Sequence, residues 1–472
     1  MKKNFLMVGA LMVTAFFAAT EIAKAADVTF SGQIRTRYEV NEQSDFTDTT
    51  EAADFMTTRV RLNANVNVND STSAFIQMQS VRTWGDAIDS TSGGSGNASL
   101  TNSDADSSVG LHQAYFTLKN FATLPVDLKF GRQEVVLDGH RLFGNTGWAQ
   151  GAQTHDALRL THAHDNMALA YLWVTANEST TGAADNQEDV EVHIVYGSYK
   201  GILGGTFSAT YAWLHDGCSS TTSTAGASGA GTGATTACNS LPNDIHTIGG
   251  RQAGQLFGID YRGEYYYQFG DANDDSVATL GTAGGDVDRE AYMFGIRVGK
   301  AFNNVMMKPS LTLWYDYLSG TSDEDARNNE YKGFNTLFDT GHKFYGLMDN
   351  FGAVGGGGQD AATRGLGLQD LAIKAKVSPM AGWTLKADYH WFYTAEGVSN
   401  TSVHGRTLAG TDRHDSNSLG NELDLTLINK YNANTNISIG YSNYTSSSAF
   451  RTLRSTSGDD ANWAYVMFDV KF

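Results

Sequence analysis

The sequence predicts an all-β protein: a transmembrane antiparallel β-barrel of about 18 strands, with short periplasmic turns and long extracellular loops. Three observations predict this fold. Apolar and polar residues alternate with period two along most of the chain, short and long connections alternate, and the chain ends on an aromatic residue within an alternating segment. Composition excludes a helical membrane protein, because no apolar run beyond the N-terminal segment approaches the roughly 20 residues that a membrane-spanning helix needs.

The first 25 residues have the features of a secretory signal peptide. Lys2 and Lys3 precede an apolar stretch over 5–19, and Ala23 and Ala25 supply the small residues that a signal peptidase reads. We therefore expect residues 1–25 to be removed and residues 26–472 to form one barrel domain. A membrane anchor is the alternative, but the apolar stretch is short for a span.

The strands are justified in order by the alternation. In the first one, Phe30 and Ile34 alternate with Arg35 and Arg37, which places the two sets on opposite faces. The predicted strands cover 27–40, 55–69, 73–84, 107–120, 125–135, 155–163, 166–175, 188–199, 205–214, 244–251, 255–269, 288–300, 305–318, 366–377, 382–393, 418–430, 434–445 and 462–472.

The connections between these strands are of two kinds. Short turns such as 69–72 and 163–165 alternate with long polar loops such as 85–106 and 319–365. This pattern is typical of bacterial outer-membrane barrels, whose even strand number returns both chain ends to the periplasm. We therefore expect a location in the outer membrane of a Gram-negative-type bacterium, contacts with lipid and lipopolysaccharide, and assembly by the barrel assembly machinery.

The last strand ends on Phe472 without a polar tail. Alternation predicts that Phe468, Val470 and Phe472 face lipid, whereas Tyr465 and Asp469 face the lumen. Pairing of this strand with the first would leave no open edge in the hydrocarbon. Aromatic residues near predicted strand ends are candidates for interfacial girdles: Tyr38, Trp383, Trp391, Trp463 and Tyr465.

Charge and cysteine content narrow the function classes. The formal net charge of −18 argues against a nucleic-acid partner. Cys218 and Cys238 lie in a Ser/Thr/Gly/Ala-rich segment without a strand pattern, and an exported chain favours a disulfide between them. This bridge would restrain a loop and would take no part in chemistry.

Charged residues on the predicted inner face divide the lumen into two walls. The first half of the chain contributes mainly arginine, and the second half contributes both signs. Such walls would favour small anions near the arginines, although pairing of the arginines with neighbours such as Glu39 is an alternative. The predicted pore-lining residues are Arg35, Arg37, Arg59, Arg61, Arg132, Arg141, Arg159, Asp260, Arg262, Glu264, Arg297, Lys374, Asp388, Glu422 and Asp424.

Two segments resemble the alginate export family of outer-membrane β-barrels, one from Gly131 to Leu160 and one from Phe334 to Phe351. The positions that carry the resemblance are Gly131, Arg132, Gln133, Arg141, Gly144, Trp148, Asp156, His342, Lys343, Tyr345, Gly346 and Asp349. His155 departs from the family pattern, which has an aromatic residue before the Asp. The resemblance implies an 18-stranded monomeric barrel that conducts hydrophilic solutes or anionic polysaccharide, with periplasmic polysaccharide-export components as further partners.

We expect neither an enzyme nor a cofactor or metal site. No serine in a strained turn accompanies His155 and Asp156 or the segment 162–165, as a barrel-embedded hydrolase would require. The segment 271–275 lacks the glycine and glutamate of a calcium loop. Two channel functions remain open: export of an acidic polysaccharide, and general or nutrient uptake of small solutes. Gating is expected from the loops at 85–106, 136–154 or 319–365.

Overall fold

The computed structural model describes most of the predicted barrel domain. The described residues are 27–42, 52–85, 109–177, 190–216, 243–272, 287–352, 362–398, 416–454, 458 and 460–472. The predicted signal peptide, the Cys218–Cys238 disulfide and most of the loop at 85–106 lie outside them.

Eighteen antiparallel strands form one closed barrel, which confirms the predicted fold. Each barrel strand pairs with the next one in the chain, and β1 pairs with both β2 and β19. A nineteenth strand, β14 (Glu330–Tyr331), lies within a loop and pairs in parallel with β12. The barrel strands are β1 (Asp27–Asn41), β2 (Ala53–Asn67), β3 (Thr72–Thr83), β4 (Gly110–Leu118), β5 (Asp127–Gln133), β6 (His155–His164), β7 (Met167–Asn177), β8 (Val190–Ile202), β9 (Gly205–Asp216), β10 (Asn243–Leu256), β11 (Ile259–Ala272), β12 (Val287–Ala301), β13 (Ser310–Leu318), β15 (Leu368–Val377), β16 (Trp383–Val398), β17 (Ser416–Lys430), β18 (Thr435–Ser446) and β19 (Asp460–Lys471).

The predicted strand ends differ from the observed ones chiefly at β10. Alternation ends this strand at residue 251, because glycines interrupt its apolar pattern, yet the structure continues it to Leu256. The turn that follows consists of Phe257 and Gly258, which have positive φ angles of 52° and 75°. Two consecutive positive φ angles match the twist of a hairpin, so this turn directly connects two long strands.

The predicted faces of the first and last strands are confirmed. Phe30 is 70% exposed on the outer surface, and Phe468 is likewise exposed. Arg35 and Arg59 are buried inside the barrel. The girdle prediction is wrong for Trp463 and Tyr465, which are buried in the lumen and form ring contacts with Trp148.

Strands β7–β10 carry apolar residues on both faces near the end of the barrel from which the long loops emerge. Val192 and Ile194 are fully buried in the lumen, whereas Glu191 and His193 lie on the outer surface. The inward apolar side chains belong to a hydrophobic core inside the barrel, to which Phe338 and Phe344 also contribute. Alternation alone could not identify the inner face of these strands, because both faces are apolar. The inner face packs against a loop that is distant in sequence.

Two loops fold into the barrel and build this core. We name residues 134–154 the first inner loop and residues 319–367 the second inner loop; of the latter, 353–361 lie outside the described part. Backbone hydrogen bonds join the two loops, from Gly144 N to Phe338 O at 2.8 Å and from Phe338 N to Leu142 O at 2.9 Å. The second inner loop also contains the short helix α1 (Asp323–Arg327).

A second short helix, α2 (Ser448–Arg454), follows β18, and its Phe450 and Leu453 are buried in the same core. No helix among the described residues is long and apolar enough to cross a membrane. The inner loops and α2 together fill the part of the lumen nearest the long loops, and a candidate functional site lies between them and the end with the short turns.

Candidate functional site

The arginines of β1 and β2 anchor the first inner loop. Arg35 donates to the carbonyl oxygens of Gly147, Trp148 and Ala149 at 2.7–2.9 Å. Arg59 donates to the Ala149 carbonyl at 3.2 Å. These hydrogen bonds from charged donors are stronger than hydrogen bonds between neutral groups. The arginines predicted to form a basic wall therefore hold the first inner loop against β1 and β2.

Arg37 makes two different interactions. It forms an ion pair with Glu39 at 2.6 Å, as the alternative interpretation of the basic wall proposed. Its guanidinium also lies 4.4 Å from the centre of the Trp148 ring, on which His342 stacks at 4.3 Å. Two groups this close to one ring must occupy its opposite faces. Arg37, Trp148 and His342 therefore tie β1 to both inner loops.

A cavity of about 390 Å³ lies beneath the first inner loop, and we name it the basic chamber. Its lining residues are Ser31, Gly32, Gln33, Arg59, Arg61, Asn63, Gln77, Glu134, Asn145, Gly147, Lys471 and Phe472. Arg59 is 3% exposed, and its Nε has no hydrogen-bond partner among the described residues. The chamber thus combines three cationic side chains with one carboxylate and four amides.

Glu134 supplies the carboxylate of the basic chamber. It accepts a hydrogen bond from Asn145 at 2.8 Å and lies 3.7 Å from Arg61 and 3.4 Å from His112. Burial raises the pKa of Glu134, but hydrogen bonds from His112 and Asn145 and the charge of Arg61 outweigh it, so the pKa is lower than usual. Glu134 is therefore ionised at neutral pH.

Arg141 fixes the first inner loop to the opposite wall. Its Nη2 donates to Asp316 at 2.6 Å and to Glu264 at 2.9 Å, and its Nη1 donates to the Tyr345 hydroxyl at 2.6 Å. All four side chains are fully or almost fully buried. Burial lowers the pKa of Arg141, but Asp316, Tyr345 and Glu264 outweigh it and hold the pKa well above its usual value. We name these four residues the arginine clamp.

The rest of the opposite wall is mixed in charge, as predicted. Arg297 stacks 2.8 Å from the centre of the Trp314 ring, and Arg262 lies 5.3 Å from it. Lys374 pairs with Asp388 at 3.0 Å. Cations and carboxylates on this wall are therefore neighbours, and their fields largely cancel at distances greater than their separation.

The remaining carboxylates predicted to line the pore have separate roles. Glu422 is fully buried and accepts from the Met348 backbone N at 2.8 Å, so it holds the second inner loop. Asp424 accepts from the Ser442 hydroxyl. Asp260 is exposed near the start of β11, beside the short turn at 257–258, and accepts from Gln255 at 3.0 Å.

The prediction that Arg132 lines the pore is wrong. Arg132 lies on the outer surface of the barrel, where its Nε and Nη2 bind Asp156 at 3.0 and 2.7 Å. Alternation continues unbroken through Gly131, so Phe130 and Arg132 both point outward. Arg159 points into the lumen as predicted and donates to Thr161 at 3.2 Å.

The family-like positions mostly seat the two inner loops. Gln133 donates to the Ala157 carbonyl at 2.9 Å, and His342 contacts Asp349 at 2.9 Å. Gly346 has a φ of 85°, and a Cβ at this position would collide with the Glu422 carboxylate. Among the other positions, Gly144 packs so closely on Thr340 that a Cβ would collide with its hydroxyl, and Lys343 is exposed.

Sequence reasoning missed several site residues. Glu134 and Asp138 lie in the first inner loop, which has no periodicity to reveal a face; Asp138 accepts from the hydroxyls of Tyr196 and Ser208. His390 contacts Asp370 at 2.8 Å in the lumen. His390 lies between Asp388 and Phe392 on the inner face of β16, so alternation could have identified it as a residue of the lumen. No group of three potential metal ligands occurs among the described residues.

The alginate export family matches residues 26–464. The chain belongs to the alginate export family. The family model thus covers almost the whole barrel, including both inner loops. No curated protein matches the chain.

Solved structures of outer-membrane porins share the fold at low identity. Acinetobacter baumannii OccAB4 is 9% identical with a TM-score of 0.54, over 96% of this chain and 100% of that chain. A BenF-like porin from Pseudomonas fluorescens Pf-5 is 12% identical with a TM-score of 0.54, over 94% and 98%. Pseudomonas aeruginosa OccK2 (OpdF), solved in complex with glucuronate, is 12% identical with a TM-score of 0.50, over 94% and 98%. Family and fold together support an outer-membrane channel.

Proposed function

We propose that this family member is a passive channel for small hydrophilic solutes that carry a carboxylate and several hydroxyl groups, such as sugar acids. The basic chamber is the observation that carries the proposal. Arg59, Arg61 and Lys471 outnumber the single Glu134 there, so the local field favours an anion. Gln33 and Asn63 are among the amides available to solute hydroxyls.

The size of the basic chamber favours a small solute. Its volume of about 390 Å³ lies near the lower end of the range of small-molecule sites, roughly 300–1,000 Å³. A carboxylate beside Arg59 would satisfy the Nε that has no partner among the described residues. Glucuronate, the ligand in the OccK2 structure, has the same chemistry and is a suitable first probe.

Export of an anionic polysaccharide is the second candidate, favoured by membership in the alginate export family. A polymer would need a continuous path, whereas the inner loops are bound to both walls by Arg35 and Arg141. This function therefore requires the inner loops to dissociate from the barrel wall. Their release would expose Arg35, Arg37 and Arg59 as a longer basic track for a polyanion.

Recordings in planar lipid bilayers separate the two candidates. For the small-solute channel we expect an anion-selective reversal potential and a current reduced by millimolar glucuronate but not by equal concentrations of glucose. A block by micromolar polyuronate, without an effect of the monomer, would favour the exporter. A cation-selective pore that ignores both acids would contradict the proposal.

Glu134 predicts a pH dependence of ion selectivity. Because its pKa is lowered, Glu134 remains ionised until the pH falls below the usual range of a glutamate. Anion preference should therefore stay constant between pH 7 and pH 5 and rise at lower pH, when the chamber loses its negative charge. In Glu134→Gln the neutral-pH preference should already be raised, and this part of the pH response should be absent. An identical pH profile in the variant would show that Glu134 does not set the field. The measurement is the reversal potential across a salt gradient.

A further inference from the structure

Five consecutive turns at the periplasmic end of the barrel expose large apolar side chains at their tips. Each turn contributes one such residue, which is 61–92% exposed: Leu203, Phe257, Met306, Met380 and Tyr431. The turns connect β8–β9, β10–β11, β12–β13, β15–β16 and β17–β18, which are successive hairpins around the barrel. We name this set the apolar crescent.

The turns on the other side of the barrel are different. The β2–β3 turn presents Asn69 and Asp70, and the β6–β7 turn presents His164 and Asp165, whose side chains are 71% and 83% exposed. The β4–β5 turn is mixed, with Leu124 exposed close to Asn120. The apolar crescent is therefore confined to one side of the periplasmic end.

The apolar crescent is continuous with the lipid-facing surface. Leu256 and Ile259, on either side of the turn that carries Phe257, are also exposed. Similarly, Leu203 follows Ile202, and Met306 follows Val305, all of them exposed. An apolar surface of this extent on a protein marks a contact with lipid or with another protein.

The distance from the apolar crescent to the opposite end of the outer surface matches the thickness of a membrane. On the same strands, a row of stacked rings marks the extracellular end of the outer surface, including Trp213, His246 and Phe269, with centroids 5.0–5.8 Å apart. Phe257 follows His246 by 11 residues. At about 3.3 Å per residue and a tilt of about 40°, this separation spans roughly 28 Å. The hydrocarbon core of a bilayer is about 30 Å thick.

We propose that the apolar crescent is immersed in the periplasmic leaflet of the membrane, so that the barrel sits tilted, with the crescent in lipid and the β2–β3 and β6–β7 turns in water. The row of rings then lies at the opposite interface, where aromatic side chains are favoured. This inference concerns the seating of the barrel and stands whether or not the proposed solute class is right.

Nitroxide labels on single cysteines test the proposal in liposomes of phosphatidylcholine. In a background with Cys218→Ser and Cys238→Ser, labels are placed by Phe257→Cys, Met306→Cys, Asp70→Cys and Asp165→Cys. At 257 and 306 we expect greater spin relaxation by oxygen than by a water-soluble nickel chelate, and the reverse at 70 and 165. Equal exposure to the chelate at all four positions would overturn the proposal and would favour a periplasmic protein as the occupant of the crescent.

A second measurement covers failure of the cysteine variants to fold. Phe257→Trp and Asp165→Trp are made in the unaltered chain, and tryptophan fluorescence is compared in liposomes with and without brominated acyl chains. The fluorescence added by Phe257→Trp should be quenched by bromine, whereas that added by Asp165→Trp should not. Quenching of neither, or of both equally, would contradict a tilted seat.

Discussion

Arg141→Met is expected to open the channel. The variant keeps an unbranched side chain but removes the charge between Glu264 and Asp316, which are buried. Removing one partner of a buried ion pair costs about 3–5 kcal/mol. The cations that remain are more distant, with Arg262 at 3.8 Å from Glu264 and Arg297 at 3.6 Å from Asp316. The first inner loop should therefore dissociate from the barrel wall, and single-channel conductance should rise severalfold.

A matched control separates the loss of the arginine clamp from a general effect of removing an arginine. Arg132→Met is the matched control, because it removes the ion pair with Asp156 on the outer surface of the barrel, away from both inner loops. Unchanged conductance and thermal stability in Arg141→Met would show that the arginine clamp does not hold the loop.

The double variant Arg59→Gln, Arg61→Gln is expected to abolish the anion preference. It removes two of the three cations of the basic chamber while leaving its amides in place. A hydrogen bond to a charged group contributes about 1.5–3 kcal/mol, and 1.4 kcal/mol corresponds to tenfold in affinity. Block by glucuronate should therefore weaken by about 10- to 100-fold or more, and the reversal potential should move toward that of a cation-selective pore.

Two controls separate a local effect from a loss of lumen charge or of loop anchoring. Lys129 on β5 lies opposite Arg159 on β6, and neither residue lines the basic chamber. Lys129→Gln with Arg159→Gln therefore removes the same charge elsewhere and should leave glucuronate block nearly unchanged. Arg61→Gln alone spares the Arg59 bonds to the first inner loop, because Arg61 donates to Gln79 instead. If Lys129 and Arg159 mattered as much as Arg59 and Arg61, the chamber would not be the recognition site.

Much of the barrel could be predicted because period-two alternation is a local property of the chain. The faces of Phe30, Arg35, Arg59 and Phe468 follow from it directly. Regular alternation also explains the outward position of Arg132, which follows the outward Phe130 by two residues. The positions of the strands, and the face on which each side chain lies, thus depend on neighbours in the sequence. A single sequence contains that information.

The interior could not be predicted in the same way, because it depends on loops that pack at long range. Arg141 meets Glu264 and Asp316 only after the first inner loop has entered the lumen. The same loop covers Trp463 and Tyr465, and alternation could not reveal their ring contacts with Trp148. On β8, Val192 turns inward because the loops create an apolar core where water was expected.

The seam between β1 and β19 has a consequence for the order of assembly. Gly32 and Phe472 exchange backbone hydrogen bonds there, so the cylinder closes only when the first and last strands of the barrel have met. Arg35 and Arg37 on one side of this seam, and Trp463 and Tyr465 on the other, also contact the first inner loop. The binding surface for this loop is therefore complete only after the seam has formed, so closure of the barrel precedes narrowing of its lumen.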